Sequence, residues 1–237
     1  MVEPAPLDPQ SVAVITALSQ PRLGPYLAAA KGNKREALRF YQWNIDLSGA
    51  VYEALHVFEV FLRNAIDVEL SAWNGSQVDR RTGHQHAQDW LLDPARLIER
   101  LAGPNIARAT NQARTALRAP RHRGRAVGHA DIVAQLSFGT WRYLLPDRDP
   151  GRQRLWKDAL HRAFPNLQHD PRGLVGRVDG AYKLRNRVAH LEPLLRPGVV
   201  RAELHGMRSV LRAIDPYLEQ WFTSRQRITQ ILRHHQP

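Results

Sequence analysis

Cysteine is absent from the 237-residue chain. This absence excludes disulfides, thiolate nucleophiles, cysteine-ligated zinc and iron–sulfur clusters, and it fits a reducing compartment. Long apolar runs are missing too, since no stretch approaches the roughly 20 apolar residues that a membrane span requires. The first ten residues, MVEPAPLDPQ, contain acids and prolines where a signal peptide has basic residues and an apolar segment. The sequence therefore predicts a soluble cytoplasmic protein with no membrane contact.

Signals for β-strands are equally scarce, because neither a sustained apolar–polar alternation nor an Asn-Gly hairpin turn occurs. Helical periodicity is common instead and predicts an all-α fold. No linker divides the chain, so we expect a single helical domain over residues 1–237. Helices are predicted over 9–19, 33–73, 94–102, 105–118, 151–163, 171–192 and 199–232.

The helix predicted over 33–73 is the longest, and its apolar face is wider than a surface helix needs, which is typical of the central helix of a bundle. One apolar seam repeats at alternating spacings of four and three residues: Leu47, Val51, Ala54, Phe58, Phe61, Ala65, Val68 and Ala72. A break is expected near Leu47–Gly49. The side facing water is predicted to carry His56, Arg63 and Asp67.

Acidic residues are few beside the basic ones: 34 lysines and arginines oppose 22 acids, which gives a net charge of +12. Such a chain attracts polyanions, and nucleic acid is the commonest polyanion in a cytoplasm. The segment RAPRHRGRAVGH, residues 118–129, contains no acid. It is either a phosphate-binding loop, through Arg121, Arg123 and Arg125, or a solvated loop.

The segment KLRNRVAHLEPLL, residues 183–195, combines an apolar stripe with a cluster of nitrogen donors. The stripe predicts a buried face made of Leu184, Val188 and Leu191. On a helix, Arg185 and His190 lie about 140° apart and project from the two flanks of that face. Arg185 could instead pair with Glu192, and His190 could cap the helix C-terminus, where a cation is favourable.

Three segments of the chain together resemble bacterial Abi-like proteins of the HEPN superfamily. They are ALRFYQWNIDLSGAVYEALHVFEVFLRNAID (37–67), LSFGTWRYLL (136–145) and LRNRVAHLEP (184–193). The last one matches the R-x4-H signature of that superfamily, with Arg185 and His190 as end points and Asn186 between them. The resemblance covers roughly residues 20–220.

The resemblance implies a HEPN-like helical bundle with a long central helix and extra peripheral helices. It also implies a homodimeric, metal-independent endoribonuclease toxin that acts in abortive infection against phage, with no cofactor and with an antitoxin as an optional partner. Arg185, Asn186 and His190 are then the catalytic residues. The expected contacts to RNA come from Lys183, Arg187, Arg121, Arg123 and Arg125.

The residues present suit this chemistry. Histidine can move protons at neutral pH, and arginine offers paired donors to phosphate oxygens. The expected product is a 2′,3′-cyclic phosphate. Acid and base normally require two groups, so one motif histidine per chain predicts a composite site in a symmetric dimer. Glu192 stands where toxins modified by a partner nucleotidyltransferase carry a tyrosine, which argues against that form of regulation.

Glu59 interrupts the apolar face of the central helix, and a buried carboxylate needs a partner. It either forms a structural pair with Arg63 or, with Asn64 nearby, reaches across the bundle to fix Arg185. The pair His84 and His86 with Asp89 is a weaker pattern for a metal site, and no metal is predicted. The alternative function is a catalytically silent module of the same fold that binds RNA or a protein.

Overall fold

The computed structural model describes residues 7–118, 124–168 and 170–233. Within these ranges it contains helices and no strand, which confirms the all-α prediction. The helices are α1 (Pro9–Ala17), α2 (Gln20–Ala29), α3 (Lys34–Gly75), α4 (Arg96–Ala116), α5 (His129–Val133), α6 (Phe138–Leu144), α7 (Pro150–Asp158), α8 (Pro171–Ala189), α9 (Pro197–Ile214), α10 (Pro216–Arg225) and α11 (Ile228–Ile231). A 3₁₀ turn at Leu160–Ala163 follows α7. None of the described helices is both long and apolar enough to cross a bilayer.

The central helix α3 is continuous over 42 residues, so the break predicted near Leu47–Gly49 is wrong. Asn33 caps its start, because the side-chain oxygen accepts a hydrogen bond from the backbone N–H of Glu36 at 3.1 Å. At about 1.5 Å per residue, the helix is about 63 Å long. It contacts α2, α6, α8, α9 and α11, so the bundle is assembled around it.

The buried face of α3 turns along the helix, which the predicted seam did not anticipate. The seam holds as far as Phe58, and then burial follows every fourth residue through Leu62, Ile66 and Leu70. Val68 is 63% exposed, although it belongs to the predicted seam. An α-helix has 3.6 residues per turn, so a seam of period 3.5 drifts around it by about 20° per heptad.

Helices α8 and α9 pack along each other, and both contact α3. The main hydrophobic core contains residues drawn from the whole sequence between Trp43 and Leu232. A smaller cluster lies at the N-terminal end of α3, where α2 covers it: Leu23, Tyr26, Ala30, Ala37 and Phe40.

Prolines divide the helices differently from the prediction. The two helices predicted over 94–102 and 105–118 are one helix, α4, with Pro104 inside it, because the buried stripe of Ile98, Ala102 and Ile106 continues across the proline. The helix predicted over 199–232 is three helices, since α9 ends before Pro216 and Asp215 caps a new start. Gly139, where the sequence ADIVAQLSFGTWRYLL (130–145) predicts a break between helical segments, lies inside α6.

Candidate functional site

The R-x4-H segment lies at the C-terminal end of α8. The helix begins after Asp170, whose side chain accepts a hydrogen bond from the backbone N–H of Arg172, with a proline at its first position. It ends at Ala189, three residues earlier than predicted, and His190 is the C-cap residue. Arg185 and Asn186 are therefore helical, whereas His190 stands at the point where the chain turns away.

Leu191 makes that turn with a left-handed backbone, at φ 58°. The backbone N–H of Leu191 bonds to the carbonyl of Val188 at 3.0 Å, and that of Glu192 bonds to the carbonyl of Arg187 at 2.8 Å. These two bonds form a Schellman motif, in which glycine is the usual residue at the left-handed position. The prediction that Leu191 is buried is wrong, because the turn leaves its side chain 66% exposed.

Three side chains hold the backbone of the segment after His190. A guanidinium nitrogen of Arg22 in α2 donates to the carbonyl of Leu191. Arg187 donates to the carbonyl of Pro193 at 2.7 Å. The side-chain oxygen of Asn44 in α3, which is 3% exposed, accepts from the backbone N–H of Leu194 at 2.6 Å. Segment 190–194 is thus tied to two other helices.

The imidazole of His190 is exposed and forms no hydrogen bond or ion pair with any residue in the described part of the chain. Its backbone N–H completes the last turn of α8 by bonding to the carbonyl of Asn186 at 2.9 Å. The structure therefore fixes the main chain of this histidine while its ring nitrogens stay available to a ligand.

Arg185 and Glu59 come near each other across the α3–α8 contact. The guanidinium of Arg185 lies close enough to the Glu59 carboxylate for a favourable charge interaction, and Arg63 and His56 act on it as well. Arg185 also donates to the side-chain oxygen of Asn186 at 3.4 Å. The juxtaposition of Glu59 with Arg185 is the geometry expected if Glu59 positions that arginine.

Burial raises the pKa of the Glu59 carboxyl above its ordinary value, and the charges of Arg185, Arg63 and His56 oppose that rise. Arg63 directs its Nε to the side-chain oxygen of Asn64 at 3.4 Å. Among the described contacts, a direct Glu59–Arg63 ion pair does not occur. Glu59 is therefore a partly buried carboxylate that faces several cations without being tied to one of them.

Of the basic residues predicted to contact RNA, three form ion pairs with acidic side chains of the same chain. Lys183 pairs with Asp179 at 2.7 Å, and Arg125 pairs with Asp131 at 2.5 Å. Arg187 pairs with Glu192 at 3.4 Å, so the Arg185–Glu192 pair considered from the sequence is not formed. Arg121 and Arg123 lie outside the described residues.

A histidine that the sequence did not single out connects three segments. His129 bonds through Nε2 to Asp67 at 2.9 Å and through Nδ1 to Asp89 at 2.7 Å. The bond to Asp67 contributes most to raising the pKa of His129 to about 9, against the effect of burial. The indole of Trp90 donates to the same Asp67 at 2.8 Å. Asp67 is therefore partly buried and bonded, which corrects its predicted place on the side facing water.

The weak metal pattern does not assemble. His86 bonds to Asp93 at 2.9 Å, while Asp89 is bonded to His129. No group of three or more metal-ligating side chains suited to an ion occurs in the described ranges.

The chain matches no family model, no curated protein and no solved structure.

Proposed function

We propose that the chain is a metal-independent endoribonuclease of the HEPN type, acting as a toxin in abortive infection, with Arg185, Asn186 and His190 as its reactive groups. One observation carries the proposal. Segment 190–194 is held at three backbone positions, yet the imidazole of His190 is exposed and unengaged by the described residues. A histidine whose main chain is fixed and whose ring nitrogens are free suits proton transfer.

In the proposed reaction, an imidazole removes the proton from the 2′-hydroxyl of a ribose, and the 2′-oxygen attacks the adjacent phosphorus. The bond from phosphorus to the 5′-oxygen breaks, and a second group gives that oxygen a proton. The products are a 2′,3′-cyclic phosphate and a free 5′-hydroxyl. The guanidinium of Arg185 stabilises the negative charge that develops on the non-bridging oxygens.

Glu59 is a positioning residue in this scheme, because it faces Arg185 rather than the substrate. Its partly buried carboxylate restrains the guanidinium electrostatically and leaves the arginine's hydrogen-bond donors for phosphate. The side-chain oxygen of Asn186 accepts a hydrogen bond from Arg185, and Asn186 lies one turn before His190. Asn186 is therefore suited to orient either group.

The composite site follows from the number of protons to be moved. One chain supplies one motif histidine, and within the described residues no contact joins His190 to Arg185. A two-fold axis beside the C-terminal end of α8 would bring two copies of each group together. We therefore propose a homodimer in which both chains contribute to each site.

The test is cleavage of single-stranded RNA by the purified full-length chain in the presence of EDTA. We expect cleavage to persist and to produce 2′,3′-cyclic phosphate ends, because no step uses a metal. His190→Ala should lower the rate by at least about 100-fold, the usual range for loss of a general acid or base. His205→Ala, at an exposed position of α9, is the matched control and should cleave at the wild-type rate.

Activity that EDTA abolishes and Mg²⁺ restores would refute the mechanism, and so would full activity of His190→Ala. A wild-type chain that binds RNA without cutting it would favour the silent binding module instead.

A further inference from the structure

A cleft of about 980 Å³ lies near the C-terminal end of α3. It is formed by the loop over 76–95, the first turns of α4 and one side chain of α7. Two carboxylates, those of Asp79 and Glu99, face five guanidinium groups there. We call this feature the arginine cleft, and its arginines are Arg80, Arg81, Arg96, Arg100 and Arg154.

The arginines of the cleft divide into paired and unpaired ones. Arg100 is bound to Asp149 at 2.8 Å, and Arg154 to Asp158 at 3.2 Å. The charge of Arg81 acts on the carboxylate of Asp79, whereas the side chains of Arg80 and Arg96 form no hydrogen bond or ion pair with a described residue. The two arginines without an acidic partner leave uncompensated positive charge in the arginine cleft, and this charge attracts anions.

The loop that carries Arg80 and Arg81 is attached firmly to the core. Asn74, a buried residue of α3, donates to the carbonyls of Ala87 and Asp93 at 2.6 and 2.9 Å. Its side-chain oxygen accepts from the backbone N–H of Ala95 at 2.8 Å. These bonds keep the two walls of the cleft at a fixed separation, so a ligand does not have to order the loop when it binds.

The wall of the cleft also contains apolar side chains, including those of Val78, Pro94 and Leu97. Apolar surface next to arginines suits a nucleic acid strand, whose bases lie against the apolar part while its phosphates meet guanidinium groups. We propose that the arginine cleft binds a single-stranded segment of RNA through its phosphates, outside the reactive site. The choice of RNA rests on the proposed function.

The cleft lies at the C-terminal end of α3, and the same helix carries Glu59, which interacts with Arg185 of the reactive site. Trp73, which lines the cleft, follows Glu59 by fourteen residues, so the two are separated by about 21 Å along the axis of α3. One strand of several nucleotides can reach both places. The cleft would then raise the affinity for longer RNA without touching the bond that is cut.

The experiment measures binding of a fluorescent 12-nucleotide RNA whose 2′-oxygens are all methylated, so that the proposed cleavage cannot occur. The full-length wild type is compared with Arg80→Gln/Arg96→Gln by anisotropy over a range of salt concentrations. Each lost phosphate contact should reduce the slope of log K against log salt by about 0.7. We therefore expect a slope lower by about 1.4 and a Kd about ten-fold or more higher at 0.1 M salt.

The matched control is Arg108→Gln/Arg114→Gln, which removes the same charge from exposed positions in the C-terminal half of α4. It should change the Kd by less than about two-fold. Equal effects of the two double variants would overturn the proposal, as would a mononucleotide that competes as strongly as the 12-mer. Since the probe cannot be cleaved, this result does not depend on whether the chain is a ribonuclease.

Discussion

At the scale of single residues, His129 is bonded at both ring nitrogens to carboxylates, Asp67 and Asp89. Both ring nitrogens must donate to satisfy this arrangement, so the imidazole is held in its charged form. Its pKa in the folded protein, about 9, lies above the value near 6.5 for an unfolded chain. The folded state therefore binds the proton more tightly than the unfolded state.

This difference predicts how stability depends on pH. The contribution of His129 should be present in full below about pH 6.5 and should be lost as the pH rises through about 9. The imidazole is mostly shielded from water, at 24% exposure, so we expect the loss to be on the order of 2 kcal/mol of unfolding free energy. Urea unfolding at pH 6 and pH 10 measures it.

His129→Gln should be less stable than wild type at pH 6 and should approach it at pH 10. His205→Gln, which replaces an exposed histidine, should keep the wild-type pH dependence. If the unfolding free energies of wild type and His129→Gln change with pH in the same way, the imidazolium does not make this contribution.

At the scale of elements, α3 holds a loop at each of its ends with a buried asparagine. Asn44 accepts the backbone N–H of Leu194, and Asn74 bonds three backbone groups of the loop that precedes α4. A buried N–H that loses its acceptor costs about 1–3 kcal/mol, since water cannot replace the lost bond. These side chains therefore help to fix the loops, together with the buried apolar residues Leu194 and Trp90.

Asn44→Ala should lower the free energy of unfolding by about 1–3 kcal/mol because the N–H of Leu194 is left without an acceptor. It should also reduce RNA cleavage, since the segment after His190 is released. Thermal unfolding and initial cleavage rates measure the two effects. Asn44→Asp keeps the acceptor oxygen and should recover cleavage better than Asn44→Ala, and equal rates for the two variants would contradict this role.

Local patterns predicted most elements of the fold, whereas contacts distant in sequence formed the sites. Helical periodicity indicated α3 and α8, and asparagines within the buried stripe of α3 were a readable signal that Asn44 and Asn74 have partners. The identity of those partners was not readable, because Leu194 lies 150 residues from Asn44. The same holds for His129, whose two carboxylates come from separate segments.

Helix ends were predicted less well, for physical reasons specific to each. Pro104 looked like a terminator, yet burial of one continuous apolar stripe outweighs the roughly 3 kcal/mol cost of proline inside a helix. Leu191 looked like a core residue because its spacing fits the stripe. A leucine with a left-handed backbone, where glycine is usual, was not foreseeable from spacing.

At the scale of the whole molecule, the proposed homodimer would bury the surface around His190. Leu191 is exposed beside that histidine, in a conformation that costs an ordinary residue about 1 kcal/mol relative to glycine. Burial of the Leu191 side chain in a dimer would offset this backbone cost. We expect light scattering to show a dimer in solution, with twice the 27.0 kDa mass of one chain.

Leu191→Asp should lower the mass in solution toward that of a single chain, because a carboxylate would be buried at the interface. RNA cleavage should fall in parallel. Val68→Asp introduces the same charge at an equally exposed apolar position of α3 and should remain a dimer. A wild-type protein that is monomeric and still cleaves RNA would refute the composite site.

The bond between Asn44 and Leu194 also has a consequence for the order in which the segment after His190 becomes structured during synthesis. The two residues are 150 positions apart, and Arg22 meets the carbonyl of Leu191 across 169. Neither contact can form until the chain beyond residue 194 has left the ribosome. A growing or truncated chain thus contains the R-x4-H sequence before it has the contacts that hold the backbone after His190 in place.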